Sequence, residues 1–497
     1  MECNSWRAAE AMAQRISALA YRNLFRQVGG EDDGGRDALF CVAGALGAVE
    51  VSFLDGQCAA RGAAEALISL KDMRMGPIGA RTWTRRQLGK AALAAVGAGV
   101  LPQWLRAGQR RVNFFGPDTL RAHAAARGLL YGAAIVPELL DVDGFAAGTT
   151  SDGYTKLVAE QANIVVAENA MKWKALRPTA ATFDFTQADK LMRFADLASQ
   201  KVRGHNLCWH ESIPDWFKGT ATKENARKLL TDHIQTVAGR YRGRIHSWDV
   251  VNEAIEPKDD RGDGLRKSPW LELIGPDYLE LAFTTAAQAD PSAKLAYNEY
   301  GIELDTPEET AKRSFVLMLL RRLKARGIPI HAVGIQSHLQ ATPPAPGQGL
   351  VAFIRDVKAL GLEVYITEMD VNTHKLPGGP ELQDAAVAQV YQDYPRMVLA
   401  EPNVMALLTW GITSVHSWVN QSTQPWARRP DGARQRPLPF DDNLQPLPAF
   451  RALRDAIDAA KALVMQPVGV PAAPVVKQDD LYKPFTVPGS PTVKPQE

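Results

Sequence analysis

The chain has 497 residues, of which 46% are hydrophobic and 23% charged, the balance of a globular protein with room for one large domain and appendages. Its 57 Lys and Arg nearly cancel 55 Asp and Glu, leaving a formal charge of +2. That balance gives no electrostatic case for nucleic acid or an acidic membrane surface as partner.

Residues 1–72 carry three of the four cysteines, Cys3, Cys41 and Cys58. Only Cys208 falls in the long middle region, so no disulfide framework is implied there, and Cys208 reads as a small apolar filler. Residues 84–90 then read TRRQLGK, followed by the apolar run AALAAVGAGVL. Paired arginines before a short Ala/Gly-rich stretch are the pattern of a twin-arginine export signal. The run is too short to span a hydrocarbon core as a helix. Residues 73–110 are therefore expected to direct export, to the periplasm or outside the cell. Translation is expected to start at Met73 or Met75, with 1–72 an over-extended reading frame.

From 111 to 465 short β-rich runs alternate with helical patterns. The predicted strands are 129–136, 163–169, 202–209, 245–253, 294–300, 331–339, 363–371 and 403–412, with helical spacing over stretches such as 222–242 and 307–326. Eight strands separated by helices predict an α/β fold, a (β/α)8 TIM barrel forming a single catalytic domain. Residues 466–497 are rich in Pro and Val without period and read as a disordered tail.

In such a barrel the C-terminal strand ends build the active-site face. The polar residues fall there: Glu168, Asn169 and Lys172 after strand two, His205, Trp209 and His210 on strand three, Asn252-Glu253 on strand four, and Asn298-Glu299-Tyr300 on strand five. Strand six carries Gln336 and His338, strand seven Glu368 and Asp370, and strand eight Trp410. Two carboxylates on separate strands suit glycosidic cleavage, in which one acid protonates the leaving oxygen and a second carboxylate meets the anomeric carbon. The residues alone identify that pair loosely, since Glu168, Glu211 and Glu299 also sit near the mouth. Shared metal ligation by His205 and His210 is disfavoured, because side chains five apart on a strand point to opposite faces. Trp216, Trp270 and Trp426 suit surface sugar sites and packing equally.

The segments ENAMKW (168–173), RGHNLCWH (203–210), WDVVNEA (248–254), GIQSHL (334–339), ITEMD (366–370), TWGIT (409–413), Ser417-Trp418 and PLPFDDNLQPLPAF (437–450) resemble glycoside hydrolase family 10, the endo-β-1,4-xylanases, in the family's order. The resemblance implies a retaining endo-acting hydrolase of xylan, with no cofactor or metal, acting as a monomer on xylan and xylo-oligosaccharides. Position by position it implies Glu253 as acid/base and Glu368 as nucleophile, with Asn252 on the sugar 2-hydroxyl, His338 holding the nucleophile and Asp370 orienting that histidine. Glu168, Asn169, Lys172, His205, Trp209 and Gln336 match glycone-side sugar contacts, and Trp410 and Trp418 would wall the subsite where cleavage occurs and its glycone neighbour. Retention implies a carboxylate separation of about 5–5.5 Å. The chain departs from the pattern at Glu211-Ser212, at Met369, and across 413–419, where Ser414, His416 and Val419 replace an expected Asp, aromatic and Arg. These departures leave open a preference for β-1,4 or mixed-linkage glucan, or a silent xylan-binding role.

Overall fold

The computed structural model describes residues 113–463, so the expected export signal, the 1–72 extension and the Pro-rich tail lie outside the described residues. Nine parallel strands follow in chain order: β1 (Leu130–Ile135), β2 (Ile164–Ala167), β3 (Lys201–Cys208), β4 (Ser247–Asn252), β5 (Lys294–Glu299), β6 (Ala332–Ile335), β7 (His338–Gln340), β8 (Glu363–Asn372) and β9 (Val404–Thr409). Each of β1 to β5 pairs with the next, β6 pairs with β8, and β9 pairs with both β8 and β1, closing an eight-stranded barrel. β7 stands outside the closed circuit and pairs only with the end of β8.

Helices connect the strands on the outside, as parallel crossovers require. Their ends are chemically marked. In α1 (Pro307–Ala325) the Thr306 hydroxyl accepts from the Glu309 amide, Pro307 occupies the first turn, and Glu309 reaches back to the Leu304 amide at 2.6 Å. The helix expected over 222–242 is Ala226–Arg240. It starts late because Asn225 closes a turn instead, accepting from the Thr222 amide at 2.7 Å and donating to the Thr220 carbonyl at 2.8 Å.

The main core lies between strands and helices, while a smaller inner cluster fills the barrel axis with Ala134, Ala296, Ala332 and Ala406 beside Ile164, Val166, Tyr365, Leu408 and Trp410. Small residues leave room on that axis for Arg203, which is buried, donates to Ser247 Oγ at 3.0 Å and pairs with Asp249. The buried charge is therefore matched within the barrel. Among the described residues no helix is long and apolar enough to cross a membrane.

Four strand expectations need correction. The run 331–339 is not one strand: β6 and β7 are separated at Gln336-Ser337, where Ser337 adopts φ 66°. The bend is held by Glu303, which accepts the Ser337 amide at 2.8 Å, and by a 2.6 Å contact between the Ser337 and Tyr394 hydroxyls. Strands 163–169, 245–253 and 403–412 also end earlier than expected. Their last residues leave the sheet to face the barrel mouth; Glu253 (φ 58°) and Gly411 (φ 110°) mark two such departures.

Candidate active site

A cleft of about 1230 Å³ runs across the C-terminal strand ends. Its lining includes Lys172, His205, Trp209, Asn252, Glu253, Gln336, His338, Glu368, Asp370, Trp410 and Trp418. Glu168 and Asn169 adjoin it, joined to each other at 3.3 Å, and Asn169 accepts from Lys172 Nζ at 3.0 Å.

Glu253 is 8% exposed. Its Oε1 accepts from Gln336 Nε2 at 2.7 Å and Asn252 Nδ2 at 3.2 Å, and its Oε2 from Trp209 Nε1 at 2.8 Å. Burial, reinforced by the Glu299 charge and weakly by Glu368, pushes its carboxyl up to about 7 against the hydrogen bonds of Gln336 and Trp209. Gln336 and Trp209, expected as sugar contacts, thus bond directly to this carboxyl group.

Glu368 lies on β8, 5% exposed. Its Oε1 accepts from Asn298 Nδ2 at 2.7 Å, and its Oε2 is 3.4 Å from His338 Nε2. Burial opposes its ionisation most, yet the His338 hydrogen bond, the neighbouring His205, the His338 charge and the Asn298 amide together bring its carboxyl down to about 2. His338 is held by Asp370, whose Oδ1 lies 3.0 Å from Nδ1 and whose Oδ2 accepts from Trp418 Nε1 at 2.6 Å. Burial disfavours the imidazolium, but Asp370 and Glu368 outweigh it and hold its pKa well above the usual histidine range. One carboxyl keeps its proton near neutrality and the other sheds it in strong acid.

The two groups are linked through side chains. Asn298 Nδ2 bonds both Glu368 and, at 2.9 Å, Asn252 Oδ1, while Asn252 bonds Glu253. Asn298 is fixed in turn by Thr367 Oγ1 at 2.8 Å. Gly334 makes room for it, because a Cβ there would sit 2.0 Å from Asn298 Oδ1.

The left-handed backbone of Glu253 is secured from every side. Its N–H donates to the Asn298 carbonyl at 2.9 Å and its carbonyl accepts from Arg266 Nε at 2.7 Å. The next amides, of Ala254 and Ile255, reach the Tyr297 hydroxyl at 3.1 Å and Glu299 Oε2 at 3.2 Å. Glu299 is fully buried and paired with Lys312 of α1 at 2.9 Å. Lys312 also lies 3.8 Å from the Tyr300 ring centroid, and Tyr300 Oη accepts from Arg266 at 3.0 Å.

Thr367, Tyr297, Arg266 and Lys312 were not among the expected site residues, and Asn298 was expected at the mouth without a role. The polar end of strand five signalled Asn298. Lys312 shares a helix stripe with Val316, Leu319 and Leu323, and a lysine on an apolar stripe is a detectable anomaly. Arg266, on a loop, carries no such mark.

On the opposite wall, Lys172 Nζ lies 5.3 Å and 5.6 Å from the ring centroids of Trp209 and Trp410. Burial holds its ammonium below the usual lysine range, against the pull of Glu368, Glu168, Glu253 and Glu211. His205 is fixed by Asp249 at 2.9 Å, with its ring 5.3 Å from Trp410. Trp270 is core: it is 1% exposed, stacks on Trp173 at 4.9 Å and donates to the Trp209 carbonyl at 2.7 Å. Trp216 packs, half-buried, against the core and donates to the Arg177 carbonyl. Cys208 is buried in the core, which pushes its thiol above the usual range. In the divergent loop, Ser414 and Val419 are buried and His416 packs edge-on to Tyr154 at 5.3 Å.

The Glycosyl hydrolase family 10 profile matches residues 119–456. The chain belongs to that family. It is 34% identical over 335 residues to endo-1,4-beta-xylanase B of Thermotoga neapolitana, covering 65% of this chain and 91% of the relative. Among solved structures it is similar to native xylanase 10B from Thermotoga maritima, with TM-score 0.60 and 33% identity over 68% of this chain and 98% of the other. Xylanase 10B from Thermotoga petrophila RKU-1, solved in complex with xylobiose, gives TM-score 0.60 and 32% identity over 68% and 97%.

Proposed function

We propose that this family 10 chain is a retaining endo-1,4-β-xylanase in which Glu253 is the acid/base and Glu368 the nucleophile. The observation that carries the roles is the opposite proton preference of two buried carboxyl groups lining one cleft: one pushed up to about 7, the other brought down to about 2. Ionised Glu368 attacks the anomeric carbon while Glu253 gives its proton to the departing glycosidic oxygen. The resulting glycosyl ester on Glu368 is hydrolysed by a water from which Glu253 takes a proton, so configuration is retained over two inversions. His338, kept cationic by Asp370, holds Glu368 ionised before attack. Asn252, linked to both carboxyl groups through hydrogen bonds, meets the 2-hydroxyl of the sugar being cleaved. Glu168, Asn169, Lys172 and His205 bind on the glycone side, with Trp410 and Trp418 as the walls. In this reading the enzyme works as a monomer, both carboxyl groups and the side chains that tune them coming from one chain, and it is exported on the strength of Arg85-Arg86 and the apolar run that follows.

The test is product analysis on xylan, β-glucan and carboxymethyl cellulose, with the anomeric configuration of the first product followed by proton NMR. A ladder of xylo-oligosaccharides appearing first as β-anomers supports the reading. Release from glucan instead, α-anomers, or no release from any polymer would overturn it.

A further inference from the structure

We propose that Trp426 and Gln340 form a further sugar-binding subsite, one ring beyond the sugar that lies against Trp418. The inference rests on the xylanase reading and extends its cleft.

Register gives the position. On the parallel pair β7–β8, His338 stands opposite Asp370 and Gln340 opposite Asn372. Two residues along a strand advance about 6.6 Å, so the Gln340–Asn372 pair lies one step outward from the histidine that holds the nucleophile.

The platform is Trp426. It is 42% exposed, lines the cleft, and has its ring 5.1 Å from Trp418, which is itself 5.0 Å from His338. An exposed indole is often unremarkable, but this one is held in place. Asn372 Nδ2 donates to the Trp426 carbonyl at 3.2 Å, tying the main chain that carries the ring to the pair that marks the outward step. Buried Arg429 donates to the carbonyls of Thr373 and Leu376 at 2.9 and 2.7 Å and of Gly378 at 2.8 Å, fastening this loop to the one after β8. Gln435 bonds the Thr373 hydroxyl at 3.1 Å and the Ala427 carbonyl. A ring carried on a loop fixed in advance loses less freedom when a sugar stacks on it than one on a loose loop.

An independent observation comes from Gln340. It lines the cleft, yet its Oε1 is buried with no hydrogen-bond partner. A buried acceptor left unpaired is unfavourable, so the amide gains by turning its oxygen out to the cleft, where a sugar hydroxyl is a donor of the right kind to satisfy it. Flat apolar ring and flanking amide together match a pyranose, which offers C–H bonds on its face and hydroxyls on its edge. Val419, standing where the family pattern has Arg, keeps this stretch of wall apolar.

The experiment compares kcat/KM of the full chain and of Trp426→Ala, Gln340→Ala and Trp426→Phe on para-nitrophenyl β-xylobioside, xylohexaose, unbranched xylan and arabinosyl-branched xylan. In Trp426→Ala the ratio of long-chain to xylobioside kcat/KM is expected to fall about tenfold, carried by KM, the equivalent of losing one aromatic contact. Gln340→Ala is expected to fall several-fold in the same ratio, and Trp426→Phe to recover most of it. Loss on unbranched substrates assigns the subsite to a main-chain xylosyl, and loss confined to branched xylan assigns it to a branch sugar. Equal loss on every substrate, or none, overturns the subsite. An unaltered enzyme that releases nothing from any xylan sinks the functional reading instead, so the two failures are distinguishable.

Discussion

Replacing Gln336 with Met separates the tuning of the acid from the chemistry it performs. Gln336 Nε2 meets Glu253 Oε1 at 2.7 Å in a buried site, and Met keeps the length of the side chain while deleting the donor. A hydrogen bond to a charged acceptor contributes about 1.5–3 kcal/mol, and one to a neutral acceptor about 0.5–1.5. The carboxylate form of Glu253 therefore loses about 1–1.5 kcal/mol more than the acid form, close to one pKa unit at about 1.4 kcal/mol per unit. Destabilising the anion raises the pKa. Glu253 must be protonated to act as acid, so the alkaline limb of kcat/KM should move upward, from about 7 to about 8. The acid limb, set by Glu368 near 2, should stay, because the Glu368 amide bonds the Gln336 backbone carbonyl, which the substitution retains. The assay is kcat/KM against pH on a xylo-oligosaccharide, whose poor leaving group demands the proton. An alkaline limb that stays put or moves down would refute the assignment of Glu253 as acid, or of Gln336 as the donor that tunes it. A drop in activity at every pH with unmoved limbs would mean that Gln336 serves sugar binding alone.

Three other outcomes are expected. Glu368→Ala should abolish turnover, while azide should partly rescue Glu253→Ala and yield a glycosyl azide of retained configuration; an inverted azide or no rescue contradicts the roles. Glu253→Gln should unfold at the same temperature as the parent near pH 4 and at a temperature a few degrees higher at pH 8. The parent's raised pKa gives stability that is complete below the unfolded value near 4.5 and lost as pH rises through about 7, on the order of 3 kcal/mol, and a pH-independent difference would contradict it. Lys312→Met should cost about 3–5 kcal/mol in urea unfolding by stranding the fully buried Glu299, and adding Glu299→Gln should recover most of that loss; additive losses would show that the pair is not coupled.

What the sequence disclosed follows from which interactions are local. The barrel was legible because each strand is a short apolar run and each helix has its own period, so eight alternations predict closure without any knowledge of pairing. The site was legible as a list for a related reason: strand ends are local, and the polar residues gather there. Its wiring was not. Gln336 reaches Glu253 because the chain bends at Ser337 and Glu253 turns into the left-handed region, and neither positive φ is announced by a glycine. A reader of periodicity sees one strand over 331–339 and aims its residues alternately in and out, which misassigns the partners on both sides of the bend.

The groups that enforce those two turns come from far along the chain. Glu303 and Tyr394 hold Ser337, while Arg266, Tyr297 and Glu299 hold the peptides after Glu253, with Lys312 balancing Glu299. Each bond is long-range or indirect, so no window of residues displays it. The divergent loop follows the same rule. Ser414 and Val419 announced only that an expected charge pair was missing. What fastens the wall instead is Arg429 and Gln435, which reach across it chiefly to backbone carbonyls that any sequence would offer. A side chain that binds backbone leaves no complementary residue to find there. The parts of this cleft most open to change are therefore those whose partners are main chain, and it is there, at Trp426, that specificity has most freedom to diverge while the two glutamates stay fixed.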